Sequence, residues 1–320
     1  MTEAAQKIEP SLLGAIGKRV TIRLHEPSGG YRDIVGILQS ERQLITSKSK
    51  TIIFSPDQIA IWREIKPLPD LAGKGAPLSQ RIIELERLSD LTWPAQETVE
   101  YGKWRLRISD GFSMRANSVL PIGEPPIDLA SAVDEVTRIY REKKLKPTFS
   151  IPLPIFDELD RYLEQRGWNI KIDANFLIRD IGAIEVSSHP QFSIEILDYP
   201  CKLWLEVNSD QPLETIMRRY PAKYGAIKNG EQVIAVGRIA TLGTWSIVTR
   251  LFVNPSFRGK GVAKILMNNL LSAALSDGAT KVALQVDNEN GAALALYQSM
   301  GFTTHHKFVY RILAKNSDKL

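Results

Sequence analysis

The segment Val253-Asn254-Pro255-Ser256-Phe257-Arg258-Gly259-Lys260-Gly261-Val262-Ala263 constrains the fold of this chain more than any other stretch. Trp245 to Val253 before it reads as a strand. Val262, Ile265, Leu266, Leu270 and Ala273 after it form an apolar stripe that predicts a helix from Val262 to Ser276. The chain must therefore pass from strand to helix through a short run holding Gly259 and Gly261. Small residues at Gly259, Gly261 and Ala263 let backbone come close to a ligand. The N–H groups of a first helical turn have no partner within the helix and sit at the positive end of its dipole. Such a turn holds a phosphate, and Arg258 and Lys260 add charge beside it. A tight structural turn is the alternative that this segment alone leaves open. The spacings of a P-loop and of a Rossmann fingerprint are both absent.

The order of elements around that segment recurs upstream. From Phe192 the pattern predicts a strand (Ser193–Leu197), one or two short helices (Lys202–Arg219) and three strands (Tyr224–Lys228, Gln232–Ala240, Trp245–Val253). The helix from Val262, a strand at Val282–Val286, a helix at Ala292–Met300 and a strand from Phe302 follow. Between Trp93 and Asp180 there is a similar, shorter series. Trp104–Ile108 alternates as a strand, and Gly111 turns the chain into an extended run from Met114 to Leu120. A helix capped by Asp128 runs to Lys144, then come a strand at Thr148–Ile151, a helix at Ile155–Gln165 and a strand from Trp168. The two halves read as divergent copies of one unit. Five short apolar runs between Val20 and Trp62 predict a small β-barrel, since so short a sheet must close to hide its edges. A Pro/Gly-dense linker from Lys66 to Pro77 follows, and Ser79 precedes a helical pattern ending at Leu91.

At 320 residues, the chain is long enough for two or more domains. Its 41 Lys and Arg against 36 Asp and Glu leave a charge of +5, too little to argue for nucleic acid but suited to an anionic cofactor. No run approaches the roughly 18 apolar residues of a membrane span, and the first ten residues show no secretory pattern. A single cysteine, Cys201, cannot form an internal disulfide, which fits a reducing cytoplasm.

The segment from Arg258 resembles motif A of the GNAT acyltransferases, Gln/Arg-x-x-Gly-x-Gly/Ala, with Arg258, Gly261 and Ala263 at the three defined positions. Asn288 to Phe302 is similar to motif B of that family: an Asn, a helix with Tyr297, then Gly301-Phe302. The resemblance implies an α/β (α+β) GNAT fold and an acetyl-CoA-dependent N-acetyltransferase that works by direct attack of an amine on the thioester in a ternary complex. Leu251, Phe252 and Val253 would lie on the splayed strand that pairs with the pantetheine arm and could stabilise the oxyanion. The pyrophosphate would sit on Arg258, Gly259, Lys260, Gly261, Val262 and Ala263, with Asn290 as a further cofactor contact or merely a helix cap. Tyr297 matches the general acid that protonates the departing thiolate.

No general base is readable. Glu195 and Glu206 are candidates only by charge, each equally explained as a solvated surface residue. His305-His306 should face opposite sides of a strand, which with no acidic or Cys companions argues against a metal; His25 and His189 look incidental. Cys201 is a poor nucleophile candidate, and none is needed. In the upstream copy the corresponding turn, Leu120 to Asp128, has no motif A and carries Glu124 and two prolines, so pyrophosphate should bind poorly there. Arg115 to Pro121, with Trp93-Pro94-Ala95, is similar to a segment of actinobacterial tandem GNAT proteins that carry an N-terminal SH3-like domain. That similarity implies an SH3-like barrel at 1–67, a linker and helix at 68–91, a degenerate GNAT-like domain at 92–181 and an acetyl-CoA-binding GNAT domain at 182–320. Arg115 and Asn117 are expected either to line an acceptor pocket or to serve as buried structural groups. The acceptor is a small-molecule or protein amine. A catalytically weak acyl-CoA sensor with a partner-docking barrel is the rival reading, and oligomeric state is not readable.

Overall fold

The computed structural model describes residues 12–27, 29–46, 50–65, 75–186, 188–208 and 213–313. The N-terminal decapeptide and the linker from Lys66 to Lys74 lie outside the described residues. The chain divides into two compact units, residues 1–70 and 71–320.

The first unit is a five-stranded antiparallel sheet of β1 (Arg19–His25), β2 (Tyr31–Ser40), β3 (Gln43–Ile45), β4 (Thr51–Ile53) and β5 (Ile59–Glu64), in the order β4-β3-β2-β1-β5. Alternation puts Val20, Ile22 and Leu24 of β1 on one buried face with Ile34, Leu38, Leu44 and Phe54. All five expected strands form, but β4 and β5 do not pair, so strand pairing closes no barrel. The cause is local: β4 pairs with β3 over three residues, then a 3-10 turn at Pro56–Gln58 carries the chain to the far edge, beside β1.

The second unit begins with α1 (Leu78–Leu91), whose N-cap is Pro77, so Ser79 lies inside the first turn rather than before it. Then come β6 (Glu97–Tyr101), β7 (Trp104–Ile108), β8 (Val119–Pro121), α2 (Leu129–Glu142), β9 (Thr148–Leu153), α3 (Asp157–Gln165) and β10 (Trp168–Asp180). The remainder is β11 (Ser193–Leu197), α4 (Lys202–Asn208), α5 (Leu213–Met217), β12 (Lys223–Asn229), β13 (Gln232–Leu242), β14 (Trp245–Val253), α6 (Val262–Ser276), β15 (Lys281–Asp287), α7 (Gly291–Ser299) and β16 (Thr303–Leu313). The expected extended run from Met114 to Leu120 is instead a 3-10 turn, Met114–Ala116, followed by the three residues of β8. The Asn117 side chain holds this turn, accepting from Ser109 and Gly111 N–H and donating to the carbonyls of Phe112 and Ser113.

These strands form one eleven-stranded sheet, β11-β12-β13-β14-β15-β10-β16-β9-β8-β7-β6. Two adjacent pairs are parallel, β14/β15 and β8/β9, and each is linked through a helix, α6 or α2. The centre is an antiparallel pair, β10 and β16, in which each strand is inserted into the series of the other half. Thus β10 lies between β15 and β16, and β16 lies between β9 and β10. The α6 stripe packs Val262, Leu266, Met267, Leu270 and Leu271 onto one sheet face with Ile239, Val248 and Leu284. On the other face Leu85 of α1 packs with Phe176, Trp245, Ile247 and Phe308. Each such fully buried Leu stabilises the fold by roughly 1.5–3 kcal/mol. Among the described residues no helix is long and apolar enough to cross a membrane.

Candidate acetyl-donor site

The site begins with a fault in the sheet. In the β13/β14 ladder Val236 faces Phe252, but Arg238 faces Thr249, so Arg250 and Leu251 together oppose Gly237. Arg250 accommodates this bulge with φ +59°, a left-handed conformation that costs a non-glycine residue roughly 1–2 kcal/mol. Gly237 is required opposite it, because a Cβ there would lie 2.9 Å from Leu270 Cδ1 and 3.2 Å from Leu251 Cδ1. The parallel β14/β15 pairing ends at Val248–Leu284, two residues before the bulge begins at Arg250, and the two strands part. Asn254 N–H donates to Ile234 O at 2.8 Å. Strand peptides alternate sides, so Phe252 also turns its N–H to β13 while Val253 turns its own to the parted edge; Leu251 lies in the bulge, where the alternation is broken.

A cavity of about 820 Å³ opens along that edge, walled by β14, the turn after it, the end of β15 and α7. Leu251, Phe252, Val253, Arg258, Gly259, Gly261, Val262, Ala263, Asn290 and Tyr297 all line it. Gly259 and Gly261 have φ +73° and +77°, and Gly261 is the N-cap of α6 with no side chain capping the helix. The first-turn N–H groups are thus left to a ligand. Arg258 donates from Nε to Val253 O at 3.1 Å, tying the turn to the strand end. Lys260 does not line the cavity, and its ammonium lies 5.1 Å from the Phe257 ring centroid. The next cation along, Lys264, is on the wall instead.

Tyr297 lies on α7 with its ring 5.6 Å from that of Phe302. Burial pushes its pKa up to about 12, so the phenol keeps its proton throughout the physiological range. Asn290 caps α7, its Oδ1 accepting from Ala293 N–H at 3.1 Å, while still lining the cavity. The helix cap is the role the structure shows for it.

A second cavity of about 410 Å³ adjoins the first, and Val248, Thr249, Arg250, Gln285, Val286 and Asp287 line both. Its other walls include Trp93, Phe112, Arg115, Leu213, Phe308 and Tyr310. Of the two residues expected at an acceptor pocket, Arg115 is here and Asn117 is the structural group described above. Glu195 is tied to Lys228 at 2.6 Å on the edge strand pair, and Glu206 faces Lys202 at 3.8 Å on α4. Neither lines either cavity. Sequence reasoning missed Thr249, in the middle of β14, and Gln285 and Asp287, at the C-terminal end of β15; the parting of the two strands brings them to the cavities.

His305 and His306 do not face apart as alternation predicts. The β10/β16 register slips between Phe176–His306 and Leu177–Thr304, leaving His305 as a bulge whose Nδ1 is 2.9 Å from that of His306. His306 Nε2 meets Glu86 Oε1 of α1 at 3.0 Å. Burial, His306 and Arg81 pull the His305 pKa down to about 4. His25 and His189 pack on Tyr31 and Phe192. Among the described residues no three His, Cys, Asp or Glu side chains gather as a metal site.

Residues 79–311 match the family described as "Probable histone acetyltransferase Rv0428c C-terminal". The chain is 26% identical over 246 residues to "Uncharacterized N-acetyltransferase YobR" of Bacillus subtilis (strain 168), covering 72% of this chain and 98% of that protein. It is also 26% identical over 315 residues to "Probable histone acetyltransferase Rv0428c" of Mycobacterium tuberculosis, covering 92% of this chain and 94% of the relative. Among solved structures a GCN5-related N-acetyltransferase from Kribbella flavida superposes with a TM-score of 0.58 at 14% identity, over 76% of this chain and 98% of that one. With a parted β14/β15 edge, an uncapped α6 and a family match over most of its length, the chain belongs to the Rv0428c C-terminal family and, with it, to the GNAT superfamily of N-acetyltransferases.

Proposed function

We propose that this acetyltransferase transfers the acetyl group of acetyl-CoA to a primary amine by direct attack, within a ternary complex. The observation that carries the reading is the meeting of the two cavities across the parted β14/β15 edge, with six residues common to both. A thioester reaching that edge from the first cavity is open to an amine entering from the second. The donor-side residues fit CoA: left-handed Gly259 and Gly261, an uncapped α6, and cations Arg258 and Lys264 suit a pyrophosphate. The Val253 N–H holds the pantetheine arm and faces the oxyanion that forms as nitrogen attacks the carbonyl carbon. When bound, the thioester supplies an activated acyl carbon and a thiolate leaving group. As the C–N bond forms and the C–S bond breaks, Tyr297 gives its proton to the departing sulfur, and the proton released by the amine restores the phenol through solvent.

The tandem reading rests on topology. Residues 92–181 and 182–320 each carry a parallel strand pair linked by a helix, and they exchange their last strands, β10 and β16. We read the first as a degenerate GNAT-like domain. The order β4-β3-β2-β1-β5, with a 3-10 turn before β5, supports an SH3-like reading of the N-terminal unit.

The test is thiol release from acetyl-CoA across a panel of amines. Acetyl-CoA-dependent acetylation of an amine is expected. Tight CoA binding with no turnover for any amine would overturn catalysis in favour of an acyl-CoA sensor.

A further inference from the structure

Arg115 and Arg238 stand apart from the other arginines enclosed in this unit. Arg105 and Arg107 share Asp90 at 2.7 and 3.5 Å, and Arg311 meets Asp160 at 2.5 Å. Neither Arg115 nor Arg238 pairs with a carboxylate among the described residues. The two guanidinium groups lie against the same Trp93 ring, 6.0 and 5.2 Å from its centroid. Arg238 is fully buried and spends its donors on the carbonyls of Thr92 and Tyr220 and the hydroxyls of Tyr224 and Thr249. Arg115 donates through Nη2 to Gln285 Oε1 at 2.5 Å, but its Nε is buried without any partner. Burial pulls both groups away from their charged forms; Arg115 adds to the cost at Arg238, while at Arg115 Tyr310 and Glu86 favour the charged form and Arg107 opposes it. An enclosed pair of cations, one of them on a cavity wall with a donor to spare, creates a site for an anion.

The opposite end of the same wall is acidic. Asp287 lies two residues beyond Gln285 on β15, hence on the same face and about 7 Å along the strand. It lines both cavities, and its Oδ1 accepts from Glu289 N–H at 2.9 Å. The remaining surface mixes an apolar part, with Phe112, Leu213 and Phe308, and a polar part, with Ser113, Thr249, Arg250 and Tyr310. A cation, an acid at short range and an apolar wall match the three parts of one small molecule. They do not match a polycation such as a polyamine or a basic peptide, which would meet Arg115 on the cavity wall with like charge.

We propose that the acceptor is a free amino acid with an apolar side chain, its carboxylate on Arg115, its amino group toward Asp287 and its side chain against Phe112, Leu213 and Phe308. This rests on the acetyl-transfer reading of the same site. The experiment uses the full chain with acetyl-CoA and matched acceptors: phenylalanine against phenethylamine, leucine against isoamylamine, with spermidine and a lysine-rich peptide alongside. We expect kcat/KM for each amino acid to exceed that of its decarboxylated partner by at least about 10-fold, the scale of a charge-assisted hydrogen bond. Neither polycation should be acetylated. Arg115→Met should bring the ratio to within about threefold of one, chiefly through a higher KM for the amino acid. If that variant does not fold, the ratio in the unaltered protein decides. Equal or better use of phenethylamine, spermidine or the peptide would overturn the proposal and leave acetyl transfer standing. Calorimetric titration of phenylalanine and phenethylamine into the CoA-mixed protein separates the two readings. Selective binding of phenylalanine without any acetylation would sink acetyl transfer while supporting the pocket.

Discussion

Between β14 and α6 the chain turns through left-handed Gly259 and Gly261 and enters the helix with no side chain on its first N–H groups. Between β8 and α2, the same kind of connection in the other half, Asp128 closes the helix end itself, its carboxylate accepting from Ser131 N–H at 3.0 Å. That second turn is also pinned to the neighbouring hairpin: Lys103 N–H donates to Glu124 O at 2.9 Å, Ile122 N–H donates to Lys103 O at 3.0 Å, and a Cβ on Gly102 would lie 2.6 Å from Pro126 N. Helix dipoles offer the same positive end in both places. What differs is whether the protein supplies its own anion or leaves the place for one. One helix N-terminus is thereby turned into a cap and the other into a site.

The largest effect should come from converting the open turn into the capped kind. Gly261→Glu puts a carboxylate at the N-cap of α6, where it competes with and repels a pyrophosphate. CoA affinity, followed by calorimetry, should fall by about 100-fold or more; unchanged affinity would remove the phosphate site. Gly261→Ala isolates the backbone contribution. There is open space around that Cβ, so only the +77° φ is strained, and the loss should stay below about tenfold.

Next comes the phenol on α7. Tyr297→Phe removes the proton donor and should lower kcat by roughly 100-fold, the lower end of general acid catalysis, with CoA affinity held within about threefold. Equal activity would take Tyr297 out of the acid role. Its pKa of about 12 fixes a second expectation. A group needed in its protonated form, with its pKa raised, stays competent as pH rises until that pKa is reached. The kcat profile should therefore show no alkaline fall from this group below about pH 11. A descending limb near pH 8 to 9 that disappears in Tyr297→Phe would refute the burial argument.

Much of this contrast is legible in the residues. Gly259, Gly261 and Ala263 against Glu124, Pro125 and Pro126 already separate a turn open to phosphate from a closed one, and Asp128 reads as a cap from its position alone. The helix from Val262 to Ser276 follows from its apolar stripe because packing and period agree there. Other features depend on partners far away in the chain. Nothing in Trp245–Val253 reveals the bulge at Arg250 and Leu251, which lies opposite Gly237 on β13. Alternation likewise mispredicts His305-His306, since a register slip against β10 breaks it. The exchange of β10 and β16 pairs residues as distant as Trp168 and Leu313. Gln285 and Asp287 draw their place at the site from the parting of β14 and β15, which no local pattern carries.

The smallest expected effect tests the closed turn itself. Asp128→Asn keeps an oxygen on Ser131 N–H but removes the charge, so the cap survives and its interaction with the helix dipole weakens. Hydrogen bonding to Ser131 holds the Asp128 carboxyl below its ordinary pKa, so the charge stabilises the fold above the unfolded value of about 3.9 and that contribution is lost as pH falls through the lower, folded value. The variant should accordingly melt slightly below the unaltered protein at pH 7, with the two melting temperatures converging below about pH 4. CoA affinity should be unchanged and the stoichiometry should remain one per chain. A second CoA bound by Asp128→Asn would mean that the carboxylate alone keeps α2 closed. One CoA per chain in the variant would assign that closure to the pinned loop from Leu120 to Ile127, whose Pro125 and Pro126 offer no N–H to a phosphate.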